Sequence, residues 1–319
     1  MYTEYFGPVD REDLQRGEPL LEKAARLLQQ GEIIAFPTET VYGMGASILK
    51  EEAIRQIFTV KKRELSLPLP VQIAHLEQVR FLAKDIPPIF YQLATRFWPG
   101  PLTIILKKHS NLSPLITGGK ETVAIRFPSD PIAKRIIELT GCPLGVPSAN
   151  LSRKPSPLQA QHVMEDFNGQ IKGVVDGGET EFGLESTVIS LEDPNRPTLV
   201  RFGVIAQSEL EKIISFRVDS HALFRNGFSS NIPLRLFSSW EEMKIYLQLS
   251  NDCKRLIMSY GENASLPKHL THFRLTGKNL YDGLRFASRN GYIEILVLCD
   301  SPLKRFEALL NRLKQIAVA

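Results

Sequence analysis

The chain reads as an α/β protein: a large unit on a twisted mixed sheet, followed by a small α/β unit of Rossmann-like type. Strand-like and helix-like segments alternate along it, the strands are short and mixed with turn residues, and the texture changes beyond about Ile205. Alternation favours helices layered on a sheet, and short interrupted strands favour mixed over regular parallel pairing.

Taken in order, Leu and Ala recur at helical spacing from Leu20 to Gln30 and stop at Gly31, a common helix terminator, so a strand is expected over 33–36. A polar turn rich in hydroxyls and glycine, Thr38 to Gly45, comes next. Ala53, Ile54, Ile57 and Phe58 form one helical face within 51–60, which sets Lys61 and Arg63 where that helix ends. Further strands are expected at 69–73, 102–106, 123–127, 144–146, 173–175, 186–191 and 197–201. From Ser215 to Pro233 periodicity is lost among Asp, Asn, Ser and Gly, the texture of a linker. The second unit then shows strands at 234–237, 255–258 and 292–298, and helices at 240–249, 279–289 and 302–317. The expected boundaries are 1–208 for the first domain, 209–232 for the linker and 233–319 for the second domain.

A chain of 319 residues, 43% hydrophobic and 23% charged, can bury a full core as one large domain or two smaller ones. With 39 basic against 35 acidic residues the balance permits contact with phosphates but is too mild to mark a nucleic-acid binder. Cys142, Cys253 and Cys299 are scattered without metal-ligand or disulfide-framework spacing, which fits a reducing compartment. The first residues lack the basic-then-apolar pattern of a leader, and no apolar stretch approaches bilayer length, so a cytoplasmic location without membrane contact is expected.

Familiar nucleotide and hydrolase signatures do not hold. Gly118-Gly119-Lys120-Glu121 lacks the upstream glycine and the terminal Ser or Thr of a phosphate loop. Gly43 and Gly45 lack the third glycine of the dinucleotide fingerprint, and the glycines of a nucleophile elbow are missing around Ser148. What remains is a set of polar loops, each following a strand: Thr38 to Thr40, Lys61 to Arg63, Thr122 to Arg126, Ser148 to Ser156, Glu185 to Thr187, and Arg201. Singly, Ser148 or Asn150 reads as a helix cap, Arg126 and Arg201 as solvated charges, and Thr38 and Thr40 as turn residues. Together they can converge on one crevice where Lys61, Arg63, Arg126 and Arg201 face a triphosphate or carboxylate.

These residues carry a resemblance. Pro37-Thr38-Glu39-Thr40-Val41-Tyr42-Gly43, Lys61-Lys62-Arg63, Trp98-Pro99-Gly100-Pro101-Leu102-Thr103, Val123-Ala124-Ile125-Arg126, Pro147-Ser148-Ala149-Asn150-Leu151-Ser152 and Gly183-Leu184-Glu185-Ser186-Thr187-Val188 occur in order between about Pro19 and Gly203. The chain thereby resembles the threonylcarbamoyl-AMP synthase family of the YrdC type in its long, two-domain form. A weaker likeness resumes in Leu280-Tyr281-Asp282-Gly283-Leu284-Arg285 and Leu310-Asn311-Arg312-Leu313.

The resemblance implies a YrdC-like fold with a concave basic cavity. It also implies a nucleotidyltransferase that joins L-threonine, bicarbonate or carbon dioxide, and ATP into threonylcarbamoyl-adenylate with release of pyrophosphate. The product would serve partner proteins that modify tRNA to threonylcarbamoyladenosine, and a weak direct tRNA contact is a further expectation. Carried over residue by residue, Thr40, Arg126 and Ser186 would bind threonine. Lys61 and Arg63 would hold the phosphates and act catalytically, joined on the nucleotide by Thr122, Ser148, Asn150, Ser156 and Arg201. Mg2+ is expected with ATP, although no ligand set for it stands out.

The sequence departs from the family pattern at Glu64, Leu67, Gln72 and Phe202, where Pro, Asn, His and Pro are usual, and in the linker, which lacks the Lys-Tyr-Arg-His-Tyr-Ala-Pro-like segment of the long form. Those departures keep a second reading in view, an RNA-binding module of the same fold without synthase activity. A related carbamoyl-transfer enzyme is a third, but the cysteine clusters of its usual zinc-finger domains are not found.

Overall fold

A computed structural model describes residues 2–219, 232–249, 254–260, 270–304 and 306–318. Half of the expected linker, 220–231, lies outside the described residues. The chain divides into two compact units, Met1–Ser152 with Ser156–Ala222, and Arg153–Pro155 with Leu223–Ala319.

The strands of the first unit are β1 (Glu4–Phe6), β2 (Ile34–Phe36), β3 (Gly43–Ser47), β4 (Val71–Gln72), β5 (Leu102–Lys107), β6 (Thr122–Arg126), β7 (Leu144–Gly145), β8 (Gly173–Val175), β9 (Thr187–Ser190), β10 (Thr198–Arg201) and β11 (Arg217–Val218). They join, among the described residues, into one sheet ordered β1-β8-β2-β3-β7-β4-β6-β5-β9-β10-β11. Parallel pairs such as β4 with β6 alternate with antiparallel pairs such as β5 with β6, so the sheet is mixed, as its short strands predict. β3 gave little strand signal because Gly, Met, Gly, Ala and Ser carry no β-branched side chain; pairing on both edges, with β2 and β7, makes it a strand.

Apolar layers cover the two faces of this sheet unequally. Ala35, Met44, Ala46, Val71, Ile104, Val123, Ile125 and Ile189 turn one face into a core that also takes in Ile54, Ile57 and Phe58 of the helix Glu51–Lys61. On the other face, Ile34, Phe36, Leu144 and Val175 pack against the helices Leu14–Gln29 and Pro131–Thr140. That second layer ends at Leu144. Gln72 pairs with Leu144, Arg126 with Gln72, and Thr103 with Arg126, so the same face continues beyond Leu144 as three polar side chains before it reaches Val188, the partner of Thr103. Transfer of apolar surface from water stabilises the covered half, at roughly 25 cal/mol per Å².

Some expectations shift at the edges. The first helix begins at Leu14 rather than Leu20 and runs through Pro19. Residues 207–211 and 217–218, assigned by texture partly to the linker, form a short helix and the edge strand β11 paired with β10. Phe202, standing where the family has Pro, packs against the main core. Cys142 and Cys299 are buried, and burial pushes both thiols up, Cys299 to about 11.

In the second unit β12 (Leu234–Phe237), β13 (Arg255–Ser259), β14 (Thr271–Arg274) and β15 (Glu294–Leu298) form an all-parallel sheet ordered β12-β15-β13-β14. Within the unit that order is first-fourth-second-third, which differs from dinucleotide-binding sheets. β14 carries no clear strand alternation in the sequence and is defined by its pairing with β13. The expected helix over 302–317 divides into Ser301–Lys304 and Glu307–Ile316. No helix among the described residues is long and apolar enough to cross a membrane.

Candidate functional site

The first site loop is knotted by its own hydroxyls. Thr38 Oγ1 accepts from the amides of Thr40 and Val41 at 3.2 and 3.3 Å and donates to the Val41 carbonyl at 2.7 Å. The Thr38 proton is thereby used, so Thr40 is the donor in the 2.9 Å contact between the two hydroxyls. Thr40 Oγ1 then accepts from Arg126 Nη1 at 2.8 Å. Arg126 Nη2 lies 2.7 Å from Glu39 Oε1, with both side chains buried.

From Arg126 the polar strip crosses the sheet. Thr103 is its cross-strand partner, and Thr103 Oγ1 lies 2.7 Å from Ser186 Oγ. Arg201 Nη2 donates to Ser186 Oγ at 2.9 Å and to the Ser186 carbonyl at 2.8 Å, while its Nε donates to the same carbonyl at 3.0 Å. Gly203 lets the chain return that closely: a Cβ there would collide with the backbone of Glu185, Ser186 and Thr187. Thr40, Arg126, Ser186 and Arg201 are therefore one connected array on one sheet face.

Lys61, Ser148 and Asn150 make a second cluster. The helix Glu51–Lys61 closes with Lys62 in the left-handed region (φ 51°), the Lys62 amide on the Thr59 carbonyl and the Arg63 amide on the Phe58 carbonyl, a Schellman end. Lys61 is 2% exposed; its Nζ donates to the Ser148 carbonyl at 2.6 Å and to the Asn150 carbonyl. Burial, reinforced by the charge of Arg63 and opposed by Asp166, pushes its ammonium down to about 7. Arg63 is half-buried, donates to the Pro68 carbonyl at 3.0 Å and is likewise lowered, by burial first, with Glu64 opposing. Ser148 Oγ donates to Asn150 Oδ1 at 2.6 Å, and Asn150 Nδ2 donates to the Leu151 carbonyl at 2.9 Å.

Backbone contacts tie the two clusters together. The Ala149 amide donates to the Tyr42 carbonyl at 2.8 Å, and Gly43 bridges Ser148. Ser156 Oγ donates to Glu185 Oε1 at 2.8 Å, beside Ser186. Thr122 is set apart: it opens β6, whereas Arg126 closes it, four residues or roughly 13 Å away. Alternation still puts Thr122 on the Arg126 face, since Val123 and Ile125 point into the core.

Glu39, Thr103 and Glu185 lie within the motifs and loops quoted above but carried no assigned role there. Each had a local signal: an acid between two threonines, a lone hydroxyl among Leu102 and Ile104, and a carboxylate before Ser186. Gln72 joins them, buried beside Arg126 with its Oε1 lacking a hydrogen-bond partner. Among the described residues no group of three or more His, Cys, Asp or Glu side chains could hold a metal ion.

Among the described residues, one half-face of this mixed sheet carries hydroxyls and guanidiniums, those of Thr103, Ser186, Arg126 and Arg201, an arrangement able to bond a polar, anionic group. The chain belongs to the Sua5_yciO_yrdC family, described as "Telomere recombination", whose model matches residues 26–203 and so spans both clusters. It is 50% identical over 191 residues to the threonylcarbamoyl-AMP synthase of Pyrococcus abyssi (strain GE5 / Orsay), covering 60% of this chain and 56% of that relative. Identity to the threonylcarbamoyl-AMP synthase of Bacillus subtilis (strain 168) is 46% over 204 residues, covering 64% and 59%. These sequence matches span little more than half the length of either relative. A crystal structure of P. abyssi Sua5 complexed with L-threonine superposes with a TM-score of 0.83 at 34% identity, covering 100% of this chain and 99% of that one.

Proposed function

We propose that the protein is a cytoplasmic L-threonylcarbamoyladenylate synthase, a nucleotidyltransferase that uses L-threonine, bicarbonate or carbon dioxide, and ATP and releases pyrophosphate. The observation that carries this reading is the connected array from Thr40 through Arg126, Thr103 and Ser186 to Arg201, with Lys61 tied in beside it through the Ser148 carbonyl and Arg63 within charge range of Lys61. The names of its relatives, and the threonine bound to one of them, point the same way.

In this reading Arg126 grips the threonine carboxylate while Thr40 and Ser186 hydrogen-bond the amino acid. Charge-assisted bonds of this kind contribute roughly 1.5 to 3 kcal/mol each. The triphosphate lies toward Arg63 and Arg201, and the roughly 13 Å run of β6 from Arg126 to Thr122 matches an extended nucleotide. Lys61 has two of its three N–H donors on loop carbonyls, so it fixes the loop that presents Ser148 and Asn150 to the nucleotide and keeps a third donor for phosphate. Ser156 would bond the nucleotide from its place on Glu185.

Threonine's amine, once deprotonated, attacks carbon dioxide and gives up an N–H proton to solvent; an oxygen of the resulting carbamate then bonds to the α-phosphorus as the bond to the β-phosphate oxygen breaks, expelling pyrophosphate. Such a path calls for orientation and charge neutralisation rather than a covalent nucleophile. Magnesium would travel with ATP; the donor set does not fit a protein-held ion, and no step is assigned to one. The adenylate would pass to partner proteins that modify tRNA, with at most a weak tRNA contact by this chain.

The test is incubation of the purified full chain with ATP, threonine and bicarbonate, followed by mass spectrometry of the labile adenylate. Threonine- and bicarbonate-dependent adenylate with matching pyrophosphate is the expected result. RNA retention without adenylate would replace this reading with the RNA-binding module.

A further inference from the structure

Glu39 sits between the two threonines of the first site loop, 2% exposed. Its Oε1 is 2.7 Å from Arg126 Nη2, yet neither carboxylate oxygen has a hydrogen-bond partner, and Arg126 Nε and Nη2 are buried with none either. Buried ions are normally wrapped in hydrogen bonds, because their desolvation is otherwise uncompensated. Two acceptor oxygens and two donor nitrogens are left over at one place.

The other acid that senses Glu39 is already spoken for. Asp130, at the head of the helix Pro131–Thr140, takes Arg11 Nε on Oδ2 at 2.8 Å and the amides of Ile132 and Ala133 on Oδ1 at 2.9 and 3.1 Å. Glu39 alone of the two keeps its acceptor capacity.

We propose that Glu39 binds the α-ammonium of the amino-acid substrate, so that Glu39 and Arg126 together form a clamp for a zwitterion. The ligand inserts between them: its carboxylate takes the leftover guanidinium donors, and its ammonium takes the leftover carboxylate oxygens. One poorly aligned ion pair is exchanged for two charge-assisted sets, with both protein charges already desolvated. The ligand class is an α-amino acid with a free amine. A hydroxy acid would satisfy Arg126 and leave Glu39 buried and unpartnered. This inference rests on the threonine reading and adds the group that recognises the amine.

The experiment compares the full-length wild type with Glu39→Gln and Glu39→Asp. Calorimetry measures L-threonine, the hydroxy acid that carries a hydroxyl in place of threonine's amine, and ATP; pyrophosphate release yields KM and kcat. Wild type should prefer threonine to the hydroxy acid by at least about tenfold. Glu39→Gln should lose that preference and raise KM for threonine by at least about tenfold, with ATP affinity within about twofold, and Glu39→Asp should restore part of the preference. A wild type that binds the two acids equally overturns the proposal even where a variant fails to fold. So does a Glu39→Gln protein that keeps the preference, or one that loses threonine, hydroxy acid and ATP in parallel. The two readings fail separately: no adenylate with the amine preference intact sinks the synthase and supports the clamp.

Discussion

Two buried carboxylates, one in each unit, show how satisfaction separates architecture from a ligand site. Glu294 on β15 accepts from Tyr246 Oη at 2.6 Å, Arg255 Nε at 2.8 Å and Arg235 Nε at 3.0 Å. Burial tends to raise its carboxyl, but those three donors hold it below the usual carboxylate range. Glu39 also faces an arginine at ion-pair distance, and there both oxygens go without a hydrogen bond. Glu294 is complete with protein partners alone and locks β12, β13 and the helix Trp240–Leu249 around β15. Glu39 and Arg126 leave two acceptor oxygens and two donor nitrogens without a hydrogen bond, which is the capacity the proposed clamp uses.

Removing Arg126 should break the contrast hardest. Arg126→Ala takes away the carboxylate grip and strands Glu39 without a counter-charge, a mechanism that costs about 3 to 5 kcal/mol when one partner of a buried pair is deleted. Threonine affinity should fall on the order of a hundredfold or more by calorimetry, with ATP affinity near normal. The reverse pattern would overturn the assignment of Arg126 to threonine.

Glu294→Gln tests the other side. It should lower the denaturation free energy of the second unit by roughly 1 to 3 kcal/mol through weakened charge-assisted bonds, and leave threonine binding unchanged. The pH dependence has a definite sign. A carboxyl whose folded value is depressed contributes stability that is fully present above its unfolded value near about 4.3 and is lost as pH falls through the folded value. Urea midpoints of wild type should therefore drop between about pH 5 and pH 3, with a shallower fall in Glu294→Gln. Parallel slopes would show that Glu294 is not the titrating anchor.

Lys61 carries the smallest and sharpest prediction. Its ammonium, pushed down to about 7, is mostly neutral at about pH 8, and an arriving phosphate chain favours the charged form. Nucleotide binding near that pH should take up a fraction of a proton, read as a dependence of the calorimetric enthalpy on buffer ionisation. Lys61→Met should abolish the uptake; uptake unchanged in that variant would separate Lys61 from the phosphates.

The legible part of the site was local. Thr38 to Thr40 after a strand, Lys61 to Arg63 at a helix end and Ser148 to Asn150 after β7 are all short-range patterns of hydroxyl, charge and turn residue. The strands expected at 102–106 and 123–127 were equally visible, and the structure places them at Leu102–Lys107 and Thr122–Arg126. Glu39, Thr103 and Glu185 were harder to see because their meaning depends on partners that are distant in sequence: Arg126, Ser186 and Ser156.

The sequence by itself determined the α/β alternation, the family, and which side chains carry hydroxyl, ammonium or guanidinium groups, because periodicity and motif spacing act over a few residues. Tertiary structure decided what each group does. Strand register placed Arg126, Thr103, Ser186 and Arg201 on one face, turned the Lys61 ammonium onto loop carbonyls, and set Glu39 against Arg126 with its oxygens unsatisfied. The physical reason is that hydrogen-bond satisfaction in a buried site is a property of all neighbours at once, and strand pairing supplies those neighbours from far along the chain.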